Sequence, residues 1–268
     1  MRLRSIVAIN AGGEMDAALA SQADAIALVL NDADQPVHGL RTAAAAAIGQ
    51  VRDAGKHALA TVNHPRTRLL RDDIEAIVAP GLSGVFLPHA CEPQDVRDLA
   101  VLLREFELAR GLEPGAIVVF PVIETARGLL RAAEIAAAAP RTAGLLFDSD
   151  AYANDVGARS EESGPRLAYA RGAVVAAARA CDVVPLVVTG GAEVHFLAQH
   201  GFGGALLPGP GFVAQANAAF SPSPAVVERA GRELAAYDAA RGEGAWVART
   251  GRRIVDSHSA RKARSLLE

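Results

Sequence analysis

Aromatic residues are scarce in this chain, 4% of 268 residues with a single tryptophan, so aromatic stacking is not the main filler of its core. Cysteine is nearly absent. Cys91 and Cys181 lie in no CxxC or Cys/His cluster, which excludes a disulfide framework and a structural zinc site and leaves two buried or partly buried thiols. Charge of one sign is lacking as well: a net charge of -3 argues against a nucleic-acid binder. No apolar run reaches membrane-spanning length, and the run in Met1–Ile9 is too short for a signal peptide. These absences describe a soluble, cytoplasmic protein.

What the chain does have is aliphatic residues and alanine. Apolar residues make up 51% of it, enough for a large core. Short apolar runs alternate with alanine-rich helical patterns. The runs are Ser5–Ile9, Ala25–Leu30, His57–Val62, Gly84–Leu87, Ile117–Ile123, Gly144–Phe147, Pro185–Val188 and Gly204–Leu207. Helical patterns between them include Leu40–Ala54, Pro93–Arg110, Ala126–Ala138 and Arg166–Ala180. The runs do not alternate apolar with polar, as expected of parallel strands buried on both faces. Eight strand–helix units in this length predict a closed (β/α)8 TIM barrel over residues 1–220. A doubly wound open sheet is the alternative that periodicity leaves open.

The tail, 221–268, breaks the pattern at Ser221-Pro-Ser-Pro224. A helix is expected over Ala225–Arg241, a hairpin over Ala245–Val255 with Thr250-Gly251 near its turn, and a short basic helix over Ser259–Leu267. This C-terminal extension is expected to pack on the barrel or on a neighbouring subunit.

One stretch carries chemistry. Pro121-Val-Ile-Glu-Thr-Ala-Arg-Gly128 follows a strand and opens a helix, placing Glu124 at a strand end and Thr125 as a helix cap. In parallel α/β folds sites are built on that rim. A carboxylate there can hold a divalent cation while helix N–H groups take an anionic oxygen. The bland alternative is an acid that only complements the helix dipole.

These residues resemble the citrate lyase β-subunit-like branch of the HpcH/HpaI aldolase superfamily, whose members include malyl-CoA, citramalyl-CoA and citryl-CoA lyases. The resemblance covers nearly the whole chain. It rests on Ile123-Glu-Thr-Ala-Arg-Gly128, Ala143-Gly-Leu-Leu-Phe147 with Asn154-Asp-Val-Gly-Ala158, Tyr169-Ala-Arg171, Ala219-Phe-Ser-Pro-Ser223, and Ile254-Val-Asp256 followed by Ala260-Arg261. Each motif is weak alone; their order and spacing are specific. The resemblance implies a (β/α)8 barrel with a C-terminal extension, assembled as a homo-oligomer (trimer or hexamer). It implies a Mg2+-dependent carbon–carbon lyase or aldolase working through a metal-stabilised enolate. The substrate would be a small oxo or hydroxy acid, free or as its CoA thioester.

Carried over by position, Glu124 is the first metal carboxylate and Arg127 the arginine of the same motif. The second carboxylate of the family falls on Ala151, within Asp148-Ser-Asp-Ala151, so Asp150 or Asp148 would have to replace it. A strand-bound arginine of the family is replaced by Thr61; Arg66, just beyond, offers a fork able to clamp a carboxylate. His64 reads as a loop histidine. An acidic pair after the second strand appears as Asn31-Asp32, with Asp32 left to order the rim. His89 stands where a lysine is common, and Gly190-Gly191 forms a plain turn or an anion-facing one. Asp256 matches a tail aspartate that relatives use as acid or base from a neighbouring subunit; its other reading is a cap on the last helix. With Thr61 and Ala151 at two functional positions, the alternative function is a catalytically impaired binding or regulatory subunit. A sugar-phosphate barrel is a third reading and lacks a phosphate motif.

Overall fold

The computed structural model describes residues 1–9, 14–31, 37–158 and 167–267, without the side chains of Val37 and Ser265. Asp32 lies outside the described residues. Backbone contacts divide the chain into two compact units, Met1–Phe220 and Ser221–Glu268.

The first unit is a closed barrel of eight parallel strands, β1 (Ser5–Ile9), β2 (Ala25–Val29), β3 (His57–Thr61), β4 (Leu82–Leu87), β5 (Val118–Ile123), β6 (Gly144–Phe147), β7 (Val184–Val188) and β8 (Gly204–Leu207), in chain order around the ring. β8 closes on β1 through pairs such as Val7 with Leu207. The open-sheet alternative is thereby excluded. Between the strands run α1 (Met15–Ala20), α2 (Val37–Asp53), α3 (Leu70–Ile77), α4 (Pro93–Ala109), α5 (Ala126–Leu130), α6 (Ala132–Ala136), α7 (Ser149–Asp155), α8 (Ala168–Ala180), α9 (Val194–Gln199) and α10 (Val213–Ala219).

Strand residues divide by parity between two cores. Ile6, Ala27, Leu59, Phe86, Phe120, Val122, Leu146 and Leu186 fill the barrel interior. Val7, Ile26, Val85, Val119, Ile123, Phe147 and Val187 face the helices. Both sets are apolar because both faces of every strand are covered. Phe86 and Phe120 are the two large interior rings, 5.3 Å apart between centroids. Glycines make room for them: a Cβ on Gly84 or Gly144 would come within about 3.1 Å of the Phe120 ring.

The helical pattern over Ala126–Ala138 resolves into two short helices broken at Arg131, whose backbone leaves the helical region (φ -115, ψ 13). Its guanidinium turns to Glu134 at 3.1 Å and Glu92 at 3.6 Å. Apolar spacing is unchanged by a one-residue break, so the pattern does not register it.

In the second unit, α11 (Pro224–Gly242) starts with proline at its first position, where the missing N–H costs no hydrogen bond. An antiparallel hairpin, β9 (Ala248–Thr250) and β10 (Arg253–Val255), turns at Gly251 (φ 59) and leads into α12 (Ser257–Leu267). No helix among the described residues is long and apolar enough to cross a membrane.

Candidate active site

Glu124 is the first residue after β5 and is buried, 9% exposed. Its Oε1 accepts the backbone N–H of His89 and lies 3.0 Å from His89 Nδ1. His89 follows β4 and adopts the left-handed region (φ 53), which a non-glycine residue enters at a cost. That conformation aims its N–H at the carboxylate. The Thr125 hydroxyl accepts the N–H of Gly128 at 3.0 Å and caps α5, as its position suggests. Gly128 itself is spatially required: a Cβ there would sit 2.5 Å from the carbonyl oxygen of Ala90. The motif thus presses the start of α5 against the loop that carries His89.

Asp148 is the first residue after β6 and the N-cap of α7. Its Oδ1 accepts the N–H groups of Asp150 (3.1 Å) and Ala151 (3.0 Å), while its own N–H donates to Ile123 O at 3.1 Å. Ala151 contributes its backbone N–H to this cap. Burial pushes the Glu124 carboxyl above its usual range; the His89 contacts oppose this and the nearby charge of Asp148 adds to it. The structure brings Asp148 beside Glu124. Asp150 is exposed on the first turn of α7.

A second cluster lies on the loops after β3, β4 and β5. Glu92 caps α4 in a capping box with Asp95. Three arginines converge on it: Arg66 in direct contact, Arg127 at 3.6 Å and Arg131 at 3.6 Å. Arg66 also lies 3.6 Å from Asp95, and His64 Nε2 lies 3.5 Å from Asp95. Burial lowers the His64 pKa, with Asp95 acting in the opposite direction. Arg66 and Arg127, singled out separately in the sequence, share one carboxylate. Glu92 and the Glu124–His89 contact escaped the sequence reading; the signal available for Glu92 was its place before Pro93 with Asp95 at capping-box spacing.

Thr61 ends β3, and the Asn63 side chain and N–H beyond it both bond Asp73, at 2.7 and 2.8 Å. Gly191 is held at φ 102 with the Phe212 ring where its Cβ would be. In the second unit, exposed Asp256 accepts the N–H of Ser259 at 2.8 Å, which caps α12 and lowers its pKa.

The donor set at the strand ends suits a hard dication. Glu124 Oε2 and Asp148 Oδ2 have no hydrogen bond among the described residues, and Mg2+ is commonly held by one or two carboxylates with waters completing its octahedron. No group of three or more His, Cys, Asp or Glu forms a closed metal cage among the described residues.

A (β/α)8 barrel with two acids at adjacent strand ends defines the class of scaffold. The chain belongs to the HpcH/HpaI aldolase/citrate lyase family, which it matches over residues 9–205. It is 31% identical to the citrate lyase subunit beta of Escherichia coli over 205 residues, 73% of this chain and 68% of that protein. It is 30% identical to a (3S)-malyl-CoA thioesterase of Cereibacter sphaeroides over 271 residues, 95% of this chain and 90% of that protein. In fold it is similar to CitE from Mycobacterium tuberculosis, solved in complex with magnesium, acetoacetate and coenzyme A (TM-score 0.65, 24% identity, 98% of this chain and 96% of that one).

Proposed function

We propose that this protein is a Mg2+-dependent carbon–carbon lyase or aldolase acting on a small oxo or hydroxy acid, free or as its CoA thioester. The observation that carries this reading is the pairing of Glu124 with Asp148 at the ends of neighbouring strands. Support comes from relatives: one is a citrate lyase subunit, another acts on a malyl-CoA thioester, and a similar fold was solved with magnesium, acetoacetate and coenzyme A.

In this reading Glu124 and Asp148 hold Mg2+, with exposed Asp150 outside the set. Bound there, Mg2+ supplies positive charge where the oxygens of an oxo acid become more negative during bond cleavage. His89, through its N–H and Nδ1, keeps Glu124 oriented and leaves Oε2 for the ion. Arg66 and Arg127 bind the carboxylate of the substrate, which exchanges with Glu92 on the same guanidinium forks. Asp256, from the tail of a second copy in a homo-oligomer, moves the proton.

Calorimetry with Mg2+ and pyruvate or oxaloacetate tests the site; Glu124→Gln should abolish the binding. Assays over malyl-, citramalyl- and citryl-CoA test the chemistry. The name of the Cereibacter relative favours a second reading, thioester hydrolysis. Products separate the two: carbon–carbon cleavage of malyl-CoA yields acetyl-CoA and glyoxylate, whereas hydrolysis yields malate and free CoA. Metal and acid binding without turnover would instead favour the binding or regulatory subunit, the reading that Thr61 and Ala151 raise.

A further inference from the structure

α4 turns one stripe to the core and leaves the opposite one bare. Val96, Leu99, Leu103 and Glu107 lie on its buried side. On the far side Val101 is 69% exposed and Leu108 57%, about two helical turns apart. Between them stand Arg104 and Glu105, both exposed. A lone surface hydrophobic needs no cause, but two in line on one helix face, with opposite charges between them, form a pattern. We propose that this outer face of α4 is a two-fold docking surface for a second copy of the chain.

The stripe is its own complement. Two such helices can lie antiparallel about a two-fold axis that passes between Arg104 and Glu105. Val101 then meets Leu108 of the second copy, and Leu108 meets its Val101. Arg104 meets Glu105, and Glu105 meets Arg104. Every contact occurs twice, as an isologous interface requires, so two apolar pairs flank two ion pairs. Further out no like charges come opposite: Arg97 falls against Leu112 and Asp98 against Gly111.

The charged groups are available for this. Arg104 makes no ion pair among the described residues. Glu105 pairs with Arg71, whose guanidinium also lies over the Phe106 ring at 5.3 Å. Arg71 thereby fixes where the carboxylate points, and a carboxylate has lone pairs enough for a second guanidinium. Space is available as well. A groove of about 400 Å3 opens beside Val101 and Arg104, walled by Pro114 ahead of β5 and by Ala139 and Pro140 ahead of β6. Arg141, also on its wall, is engaged by Glu107 and the Ile117 carbonyl. The antiparallel register brings Leu108 of the second copy to Val101, at the edge of this groove, where its side chain leaves water. One helix face and one groove make a small interface, so the association is weak and depends on concentration. The inference does not depend on the reading of the barrel mouth.

Sedimentation velocity on the full chain, from micromolar to near-millimolar concentration at low ionic strength, tests it. The parent should show a reversible doubling of mass. Arg104→Glu and Glu105→Arg each place like charges across the axis and should weaken the doubling by about tenfold or more. An equimolar mixture of those two variants restores opposite charges at both pairs and should recover it. Leu108→Asp, which leaves the Arg71–Glu105 pair in place, should weaken it as well. Unaltered circular dichroism and thermal midpoint would show that the variants are folded; all three side chains are exposed. A parent that never doubles would leave the face to another partner and overturn the proposal. Doubling that survives all three substitutions, or a mixture no heavier than its separate components, would overturn it too.

Discussion

Glu124 and Asp148 are lateral neighbours across the β5–β6 boundary. The last paired residues of those strands, Ile123 and Phe147, are register partners, and each acid is the next residue on. Ile123 and Phe147 face the helices, while Val122 and Leu146 face the barrel interior. Alternation therefore directs both following side chains toward the mouth. In the proposed reading Asp148 is the second metal carboxylate, three residues before Ala151.

Asp148→Asn separates charge from capping. Asparagine caps a helix about as well as aspartate, so the thermal midpoint should barely move. Mg2+ affinity should fall by about tenfold or more, because a ligand charge is lost. Asp150→Asn should leave affinity within about twofold, since its exposed side chain lies outside the pair. Calorimetry on the two variants checks both; a larger loss for Asp150→Asn would reverse the assignment.

Two buried carboxylates should shape stability with opposite signs in pH. Glu124 has its folded pKa raised by burial, so in metal-free protein the folded state binds the extra proton. Its contribution is full below the unfolded carboxyl range and is lost as pH rises through the folded value. Glu107 is fully buried, yet its pKa is lowered: burial alone would raise it, but Arg141 at 2.8 Å and the N–H groups of Gly115 and Ile117 outweigh that effect. Its contribution is present above the unfolded range and is lost as pH falls through the folded value. Urea unfolding from acidic to neutral pH should show Glu124→Gln gaining on the parent as pH rises. Glu107→Gln should lose about 3–5 kcal/mol at neutral pH, leaving Arg141 without its charge partner, and should lose less in acid.

Two glycines should respond oppositely to alanine. Gly128→Ala puts a Cβ 2.5 Å from a backbone oxygen, Ala90 O, which cannot swing aside as a side-chain end can. We expect a loss of about 1–3 kcal/mol and weaker Mg2+ binding, because the α5 start and the His89 loop move apart. Gly231 lies inside α11 with nothing within 4 Å of its Cβ position. Gly231→Ala should stabilise the chain by roughly 0.5–1 kcal/mol through helix propensity. Thermal unfolding of the pair is the measurement.

Asp256 is tested by splitting its two roles. Asp256→Ala removes the cap from Ser259 N–H and should lower the thermal midpoint, whereas Asp256→Asn keeps it and should barely move it. If Asp256 moves a proton, both variants lose turnover alike. Full turnover in the asparagine variant would confine Asp256 to capping.

The barrel was legible in the sequence because strand burial on two faces writes itself as unbroken aliphatic runs. β1, β6 and β8 begin and end at the residues those runs name, and the others differ by one or two residues at an end. The Glu124 motif was legible because a strand end followed by a capping threonine is local chemistry. The choice between Asp148 and Asp150 was not, since it depends on which residue starts α7 and on the register of β6 against β5. Nor was the gathering of Arg66, Arg127 and Arg131 on Glu92, which joins three loops distant in the chain.

By itself, then, the order of residues determined the element sequence, the eight parallel strands buried on both faces and the acid at the end of the fifth strand, while closure of the ring rests on the pairing of β8 with β1. These follow from burial patterns and caps that act within a few residues. Tertiary structure alone decided which aspartate stands beside Glu124, where the rim arginines point and which side chains line the groove beside α4. Each of those depends on strand register or on loops meeting across space, and sequence spacing carries no record of such distances.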